Sequence, residues 1–385
     1  MIKLAINKVW VDFVRVEWSG TDNQCSRELL FTLPSNPYDP DFSNPDVKLG
    51  DLVYFYNDND QLFLGTVTRR EQEAAAGEAT YTARDFMHYL LRSNTSKKFK
   101  KKTPEKITQL VCKEVGISTT ALAKTNANIP LIRFEDQCIY DIIVKVYRKA
   151  KAKTGKTYMP VMVGKKVSVV EKGTDSGVTL DQARDITDAS YSDTTEQMVN
   201  LVRIYNDSLK QIGKVQSKKN MAQYGVYQKA YQKKSGTNAK KEAKALMVGI
   251  VKEASLEAIG NINAIAGRSI QIKDSTTGSG KFYIASDTHV FENGVHTMSL
   301  ELAWTLNEEE GADTTQDKGK QLKNSAKAYY IETSSVYHSS KSCSACTGKN
   351  NIKTSTVADL KKIKITVGKN KGKRKYKPCA KCWIT

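Results

Sequence analysis

The sequence predicts an α+β protein in which β-strands dominate. Three observations carry this prediction. Short stretches of alternating apolar and polar residues recur up to about residue 92 and again after residue 156. Two helical patterns interrupt them between residues 93 and 155. The last part of the chain has few apolar residues but contains two Cys-x2-Cys pairs, which indicates a small metal-stapled module.

Residues 1–92 are predicted to form the first β-domain. A turn at 57–60 and a proline-rich loop at 34–45 separate the candidate strands. A short helix with Phe86, Leu90 and Leu91 on one face follows them, so we expect a small barrel or sandwich closed by a helix. The candidate strands lie at 10–18, 29–33, 52–56 and 62–68.

Residues 93–155 are predicted to form a helical insertion. Thr103 supplies an N-cap, Pro104 occupies the first helical position and Gly116 ends this helix. A second helix is predicted over about 140–151, because Ile139, Ile142, Ile143 and Val146 recur at helical spacing. The basic run 97–102 is interpreted as a linker.

Residues 156–310 are predicted to form a second β-domain with one long helix. The helix is predicted over 239–259, where Ala243, Leu246, Met247, Ile250 and Ala254 share one face. The stretch from Glu308 to about Lys327 is acidic and then polar, which is typical of a linker, and the linker is predicted over 311–330. The candidate strands lie at 159–163, 167–170, 198–205, 270–272, 281–285 and 297–304.

Residues 331–385 are predicted to form a metal-binding module. The pairs Cys343/Cys346 and Cys379/Cys382 have the spacing of a tetrahedral zinc site, with His338 just upstream. A segment this small and polar needs a metal or disulfides to replace a hydrophobic core. Two disulfides are the alternative interpretation.

The expected cellular compartment is inferred from the lack of a long apolar segment in the sequence. It has no long apolar run, and its N-terminus is a short alternating stretch, so we expect no signal peptide, no membrane span and synthesis in the bacterial cytoplasm. In a reducing compartment Cys25, Cys112 and Cys138 are expected to be buried free thiols, which favours metal over disulfides in the tail.

The formal net charge of +19 raises the question of a polyanionic partner. Nine Lys or Arg lie within 361–377. Such runs are usually solvated surface. The alternative is that this basic set binds an anionic polymer, either nucleic acid or cell-wall teichoic acid.

No catalytic constellation is found, and we expect no enzyme. His289 and His296 lie near a turn between two predicted strands, beside Asp287 and Glu292, where sheet packing or hairpin polarity explains them. The segment 278–281 (Gly-Ser-Gly-Lys) lacks the strand–loop–helix context of a phosphate-binding loop and is interpreted as a turn.

A set of short motifs is spread over residues 1–310. They include Ile-Thr-Asp-Ala-Ser-Tyr at 186–191, Met-Val-Asn at 198–200 before the strand at 202–205, Tyr-Gly at 224–225, the helix-like segment 243–259, and stretches at 65–68, 81–85, 140–143, 267–270, 282–284, 286–289 and 293–298. Together these motifs resemble the PBSX-type baseplate hub family of contractile phage tails and phage-tail-like bacteriocins (tailocins, such as diffocins).

The resemblance implies a structural role in the baseplate of a virion or of a phage-tail-like particle. It implies two tail-tube-like β-barrel domains and a homotrimeric ring that adapts the six-fold tail tube to a three-fold spike or tip. The implied partners are the tail tube protein, the spike or tip protein, other baseplate proteins and the target cell envelope, with no specific nucleic acid.

The tail has a resemblance of its own. Tyr337-His338 before Cys343, and Pro-Cys-x2-Cys ending at Cys382, are similar to a metal module appended to some phage tail proteins and secreted nucleases. Here the interval from His338 to Cys343 is one residue longer, and Cys346 is extra. All four cysteines are the first candidate ligand set, and His338 with three cysteines is the second. Either set is closed to water, so the zinc is interpreted as structural, in a C-terminal knob. The alternative functions are an anionic-polymer binding module and a cell-wall hydrolase.

Overall fold

In the computed structural model the chain divides into two compact units, Met1–Glu309 and Glu310–Thr385. The structure describes residues 1–23, 26–36, 38–73, 77–234, 237–306, 327–330, 336–338, 352–356, 360 and 377–378.

The described part of the first unit contains twenty-one strands and five helices. The strands are β1 (Ile2–Ile6), β2 (Val9–Val11), β3 (Arg15–Thr21), β4 (Glu28–Pro34), β5 (Leu52–Asn57), β6 (Asp60–Glu73), β7 (Glu78–Asp85), β8 (Asn94–Lys102), β9 (Ser118–Leu122), β10 (Ile129–Cys138), β11 (Tyr158–Val163), β12 (Lys166–Glu171), β13 (Asp175–Asp181), β14 (Ile186–Thr194), β15 (Leu201–Tyr205), β16 (Gln211–Gln216), β17 (Gln228–Gln232), β18 (Val251–Ile259), β19 (Ser269–Asp274), β20 (Gly278–Glu292) and β21 (Val295–Ala303). The helices are α1 (Met87–Leu91), α2 (Pro104–Glu114), α3 (Ile139–Thr154), α4 (Lys218–Tyr224) and α5 (Ala239–Ala245).

A single 13-stranded sheet organises the first unit. Eleven strands follow the order β14-β18-β21-β20-β3-β4-β7-β6-β5-β1-β2, and β19 joins β13 to β20. Strands β1–β7 form the N-terminal half of this sheet, and β13, β14 and β18–β21 form the C-terminal half. Each half has its own apolar cluster on inward-facing positions, such as Leu29, Phe31 and Leu33 along β4. Burying each such side chain stabilises the fold by roughly 1.5–3 kcal/mol.

The predominance of strands is confirmed, but the two separate barrels predicted from the resemblance are not found. The two halves are continuous through β20, and the described residues form no closed barrel. Strand β20 is fifteen residues long. Its first part pairs with β19, and its second part pairs with β3 of the other half. One strand therefore belongs to both halves, which joins them edge to edge.

The insertion between β7 and β13 contains helices and strands packed around a shared core. Thr103 caps α2 as predicted, since its Oγ1 accepts a hydrogen bond from Lys106 N at 3.3 Å. Helix α3 ends at Gly155, which adopts a left-handed conformation with φ of 70°. The predicted linker at 97–102 is wrong. This basic run lies in β8, which pairs with β10, because Phe99 is buried against Phe134 while the lysines remain largely exposed.

The long helix predicted over 239–259 is also wrong. Helix α5 ends at Ala245, and Val251–Ile259 forms strand β18 between β14 and β21. Ala254, Leu256 and Ala258 are the buried positions of β18, and they recur with the two-residue period of a strand.

The second unit is described in short stretches. Strands β22 (Lys327–Tyr330), β23 (Val336–His338), β24 (Lys353–Thr356) and β25 (Lys377–Pro378) form a four-stranded sheet in the order β24-β22-β23-β25. Ala328, Tyr337 and Leu360 are buried in this unit. Strand β22 begins inside the stretch 311–330 that the sequence assigns to a linker.

Candidate functional site: the joint of the sheet and its free edges

The joint between the two halves contains a buried charged pair. Asp287 on β20 is fully buried, and both of its carboxylate oxygens accept hydrogen bonds from the guanidinium of Arg27, which precedes β4. The backbone N–H of Ala266 donates to Asp287 Oδ1 at 2.7 Å. The Arg27 guanidinium also lies 3.9 Å from the ring centre of Trp18 on β3. Burial alone would raise the pKa of Asp287, but the Arg27 charge and the hydrogen bonds of the site outweigh it and lower the pKa to about 2.

Two histidines extend this network. His289 Nε2 lies 3.2 Å from the carbonyl oxygen of Ala264 and 3.4 Å from Asp287 Oδ2. Because both oxygens accept, Nε2 carries the proton, and His289 Nδ1 accepts from His296 Nε2 at 3.0 Å. Burial, followed by the neighbouring His289, lowers the pKa of His296 to about 4. Gly260 is required beside this pair, because a Cβ there would lie 2.1 Å from the His296 ring.

The geometry of these residues is that of a structural joint. Asp287 and His289 are completely buried, and their polar atoms are engaged by Arg27, Ala264, Ala266 and His296. A buried charge-assisted network of this kind specifies how two packed elements meet. His289 is completely buried, and His296 is half-buried with its ring stacked on Phe291.

A pH dependence of stability follows from His296. Its pKa is about 4 in the folded chain against an ordinary 6.5, so the unfolded chain takes up a proton between these values. Stability attributable to His296 therefore falls as the pH drops from about 6.5 toward 4. We expect His296→Gln to lose less stability than the parent chain between pH 7 and pH 5, measured by urea unfolding.

Asp85 provides the counter-test. Burial raises its pKa to about 6, against hydrogen bonds from Ser26 and from the backbone N–H of Arg27 and Met87. This group favours the folded state as the pH falls from 6 toward 4. Asp85→Asn should therefore steepen the acid loss of stability. If the free energy of unfolding depended on pH in the same way in the parent chain and in His296→Gln, the predicted role of His296 would be contradicted.

Three other charged residues at the joint were not among the functional residues predicted from the sequence. Lys172 and Asp22 form a fully buried ion pair at 2.8 Å, and Arg27 pairs with Asp287. One feature of the sequence could have indicated this site: the charged residue Asp287 lies on the same inward-facing side of β20 as Phe291. That side can be assigned only when the structure shows that the pairing of β20 with β21 shifts register between Ile284 and Ser286.

Among the described residues, three strands of the sheet have one partner each: β13 on the branch through β19, and the two strands at the ends of the main path, which are its free edges. At one end β2 pairs only with β1, and its Val9 and Trp10 are 65% and 58% exposed. At the other end β14 pairs only with β18, and it carries exposed Asp188, Tyr191 and Asp193. An open cleft of about 680 Å³ runs beside β14. Unpaired edges of this kind present backbone donors and acceptors to another chain.

The predicted zinc ligands are described only in part. His338 ends β23, where it is buried and pairs in register with Tyr329 of β22. Cys343, Cys346, Cys379 and Cys382 lie outside the described residues. Over the ranges that the structure describes, no three His, Cys, Asp or Glu side chains form a metal-binding group. The zinc site remains a prediction.

The three cysteines outside the predicted metal module differ in burial. Cys112 is buried and its burial raises the pKa of the thiol to about 12, whereas Cys138 is half-buried; Cys25 lies outside the described residues. None of the helices in the described residues is long and apolar enough to cross a membrane.

The chain is similar to two proteins of Bacillus subtilis. The chain is 27% identical to the uncharacterized protein YqbQ of Bacillus subtilis over 268 residues, covering 66% of this chain and 82% of that protein. It is 25% identical to the phage-like element PBSX protein XkdQ of the same species over 320 residues, covering 78% and 97%. The PBSX-type resemblance drawn from the motifs is thereby confirmed.

Two solved structures share the fold at low identity. The 43 kDa tail protein of prophage MuSo2 from Shewanella oneidensis has a TM-score of 0.62 at 13% identity, over 78% of this chain and 98% of that one. A tail protein from Neisseria meningitidis has a TM-score of 0.57 at 13% identity, over 78% and 95%. The YQBQ-like family profile matches residues 16–303, well over half of the chain. The chain belongs to the YQBQ-like family.

Proposed function

We propose that this protein is a structural component of a phage tail or phage-tail-like particle, and that it acts as the baseplate hub. The observation that carries the proposal is the continuous 13-stranded sheet, whose fold is shared with two prophage or bacterial tail proteins. The buried joint holds the two halves in one orientation and uses its polar groups for packing. A mechanical adaptor needs such a rigid joint and no catalytic cleft, so we assign no enzymatic activity.

In the proposed assembly three copies form a closed ring. Each chain contributes two sheet halves, so a trimer would present six to a six-fold tail tube on one side and three-fold symmetry to a spike on the other. The contact between β20 and β3 is an edge-to-edge junction within one chain. The free edges β2 and β14 are the surfaces for the equivalent junction between chains.

Charge supports pairing of these two edges. Lys8 precedes β2 and Lys3 lies on the adjacent β1, whereas β14 carries Asp188 and Asp193. Opposite charges on two unpaired edges favour contact between unlike edges and disfavour contact between like ones. Unlike edges on each copy produce a head-to-tail arrangement, which closes into a ring.

The proposal is tested by the mass and shape of the purified chain. Sedimentation equilibrium should give three times the chain mass of 42.9 kDa, and negative-stain electron microscopy should show rings with three-fold symmetry. A monomer at every concentration and ionic strength would exclude the ring. Particles lacking this chain should also lack an assembled baseplate if it is the hub.

We further propose that the second unit is a zinc-stapled knob. His338 and the two cysteine pairs have the ligand chemistry and spacing of structural zinc. Metal binding by such a module supplies roughly 10–16 kcal/mol of apparent free energy, so metal and folding are coupled. The basic set within 361–377 stays a candidate anionic-polymer surface.

Metal removal is expected to unfold this unit selectively. Elemental analysis should find one zinc per chain, and a chelator should make residues after about 310 sensitive to protease while the first unit stays resistant. Cys343→Ser and Cys379→Ser should reproduce this, and Cys112→Ser is the matched control in the first unit. Loss of structure on adding a reductant, with no zinc present, would show disulfides instead. His338→Ala distinguishes the two ligand sets, because only the second loses zinc.

A further inference from the structure

The basic charge of the first unit is concentrated in its insertions. Segment 198–248, between β14 and β18, holds eleven Lys or Arg and only two acidic residues, a net charge of +9. The sheet-forming segments 1–93, 157–197 and 249–309 together hold seventeen basic and twenty-nine acidic residues. The sheet body is therefore acidic, and the excess positive charge of segment 198–248 belongs to a separate feature.

The lysines of this segment are not neutralised by the surrounding structure. All ten are exposed, and none forms an ion pair with another described residue. They are Lys210, Lys214, Lys218, Lys219, Lys229, Lys233, Lys234, Lys240, Lys241 and Lys244. Unpaired like charges at this density create a strong local positive potential.

The segment folds as a small sheet with one covered face. Its strands have the order β16-β15-β17, and α5 packs on the face formed by Val202, Ile204 and Tyr231 through Ala243. Because side chains alternate along a strand, Leu201, Arg203 and Tyr205 of β15 point to the other face. Leu201 is buried at one end of that face, and the part around Arg203 and Tyr205 is here called the open face. Its remaining members on β16 and β17, nearly all exposed, are Gln211, Lys214, Gln216, Gln228, Ala230 and Gln232.

The centre of the open face is rich in hydrogen-bond donors. Arg203 Nε donates to Gln228 Oε1 at 2.6 Å, and Arg203 Nη1 donates to Gln211 Oε1 at 2.8 Å. Because each amide oxygen faces Arg203, the amide NH₂ groups of Gln211 and Gln228 and the remaining guanidinium N–H groups are available as donors. Lys214 lies directly opposite Arg203 in the β15–β16 pairing and adds an ammonium. A cluster with this many donors and two cations suits the oxygens of a phosphate.

An aromatic ring lies next to this cluster. Tyr205 is two residues from Arg203 on the same strand and the same face, and it is half-buried, so part of its side chain is accessible. The residue opposite Arg203 on β17 is Ala230, whose small side chain leaves room above the sheet. Backbone-contacting cations beside an aromatic platform are the combination used for single-stranded nucleic acids. An acidic peptide would need the cations but not the ring.

We propose that the open face binds single-stranded nucleic acid, with phosphates at Arg203 and Lys214 and a base stacked on Tyr205. Three strands spaced about 4.8 Å apart give a platform about 10 Å wide, which accommodates one extended strand. Contacts to phosphates and to the face of a base carry no sequence information, so binding is sequence-independent. The proposal stands apart from the trimer and from the zinc knob.

The test uses the full-length chain and a fluorescent oligothymidylate, with binding followed by fluorescence anisotropy over a range of salt. The variant Arg203→Gln/Lys214→Gln should bind about tenfold more weakly or worse, because it loses two charge-assisted contacts. The slope of log K against log[salt] should become shallower by about 1.4, or 0.7 per lost phosphate contact. The matched control Lys240→Gln/Lys244→Gln removes the same charge from α5 and should stay within about twofold of the parent chain. The C-terminal basic set contributes equally to every variant.

Tyr205→Leu separates the base from the phosphates. It should weaken oligothymidylate binding by roughly fivefold to a hundredfold and leave binding of inorganic polyphosphate unchanged. Lys214→Gln alone is the variant least expected to disturb the fold, because the Lys214 side chain, unlike that of Arg203, forms none of the hydrogen bonds between the strands described above. Circular dichroism checks that each variant is folded. Equal losses in the open-face and α5 variants would overturn the proposal. So would equal competition by polyglutamate, or by a polyol phosphate without bases.

Discussion

Replacing Asp287 with alanine is expected to destabilise the first unit by about 3–5 kcal/mol. The substitution leaves the Arg27 guanidinium largely buried at the joint, with its side chain 17% exposed and its principal partner gone. It also removes the acceptor for the backbone N–H of Ala266 and a neighbour of His289. Urea unfolding followed by circular dichroism measures the change as a lower transition midpoint.

The matched control lies on the same strand β20. Glu292 on β20 pairs with Arg15 on β3 at 3.0 Å, but both side chains are about 40% exposed. Solvent screens this pair, so Glu292→Gln should cost less than about 1 kcal/mol. Equal costs for the two variants would show that burial of the Asp287 pair has no special role. Replacing Arg27 and Asp287 together by apolar residues should recover part of the loss, because no charge remains buried without a partner.

Val9→Asp is expected to convert the proposed trimer to monomers. Val9 is 65% exposed on the free edge β2, and the new carboxylate would face the acidic β14 edge of the next copy. Like charges placed opposite each other in a sheet are destabilising, and the apolar contact of Val9 is lost as well. Light scattering coupled to size exclusion measures the result directly.

Val163→Asp is the control for this experiment. Val163 is 57% exposed on β11, which ends another sheet of the same unit, so the same chemical change is made on a similar edge away from the proposed contact. This variant should remain trimeric. Asp188→Lys together with Asp193→Lys tests the opposite edge, where the new lysines would face Lys3 and Lys8. A trimer that survives both edge variants would place the interface elsewhere.

The errors of the sequence prediction have identifiable physical causes. Residues 239–259 have apolar positions that satisfy a helical period, but Ala254, Leu256 and Ala258 also satisfy the period of a strand. Residues 251–259 form a strand because β18 is hydrogen-bonded to a partner on each side, β14 and β21. The composition of the basic run in β8 is typical of a solvated linker, but Phe99 in its middle packs against Phe134 of β10. In both places contacts distant in sequence override a local pattern.

Local chemistry by itself determined the strand-rich character of this protein, the N-cap of α2, the family motifs and the spacing of the cysteine pairs. These features depend on neighbours a few residues away, so the order of residues is sufficient to predict them. The tertiary structure decided that the two halves share one sheet through β20 and that Arg27 meets Asp287, 260 positions along the chain. It also left the Arg203 face of a basic insertion uncovered. The partners in each case come from segments far apart in sequence, and a register shift within β20 sets which of its side chains face inward.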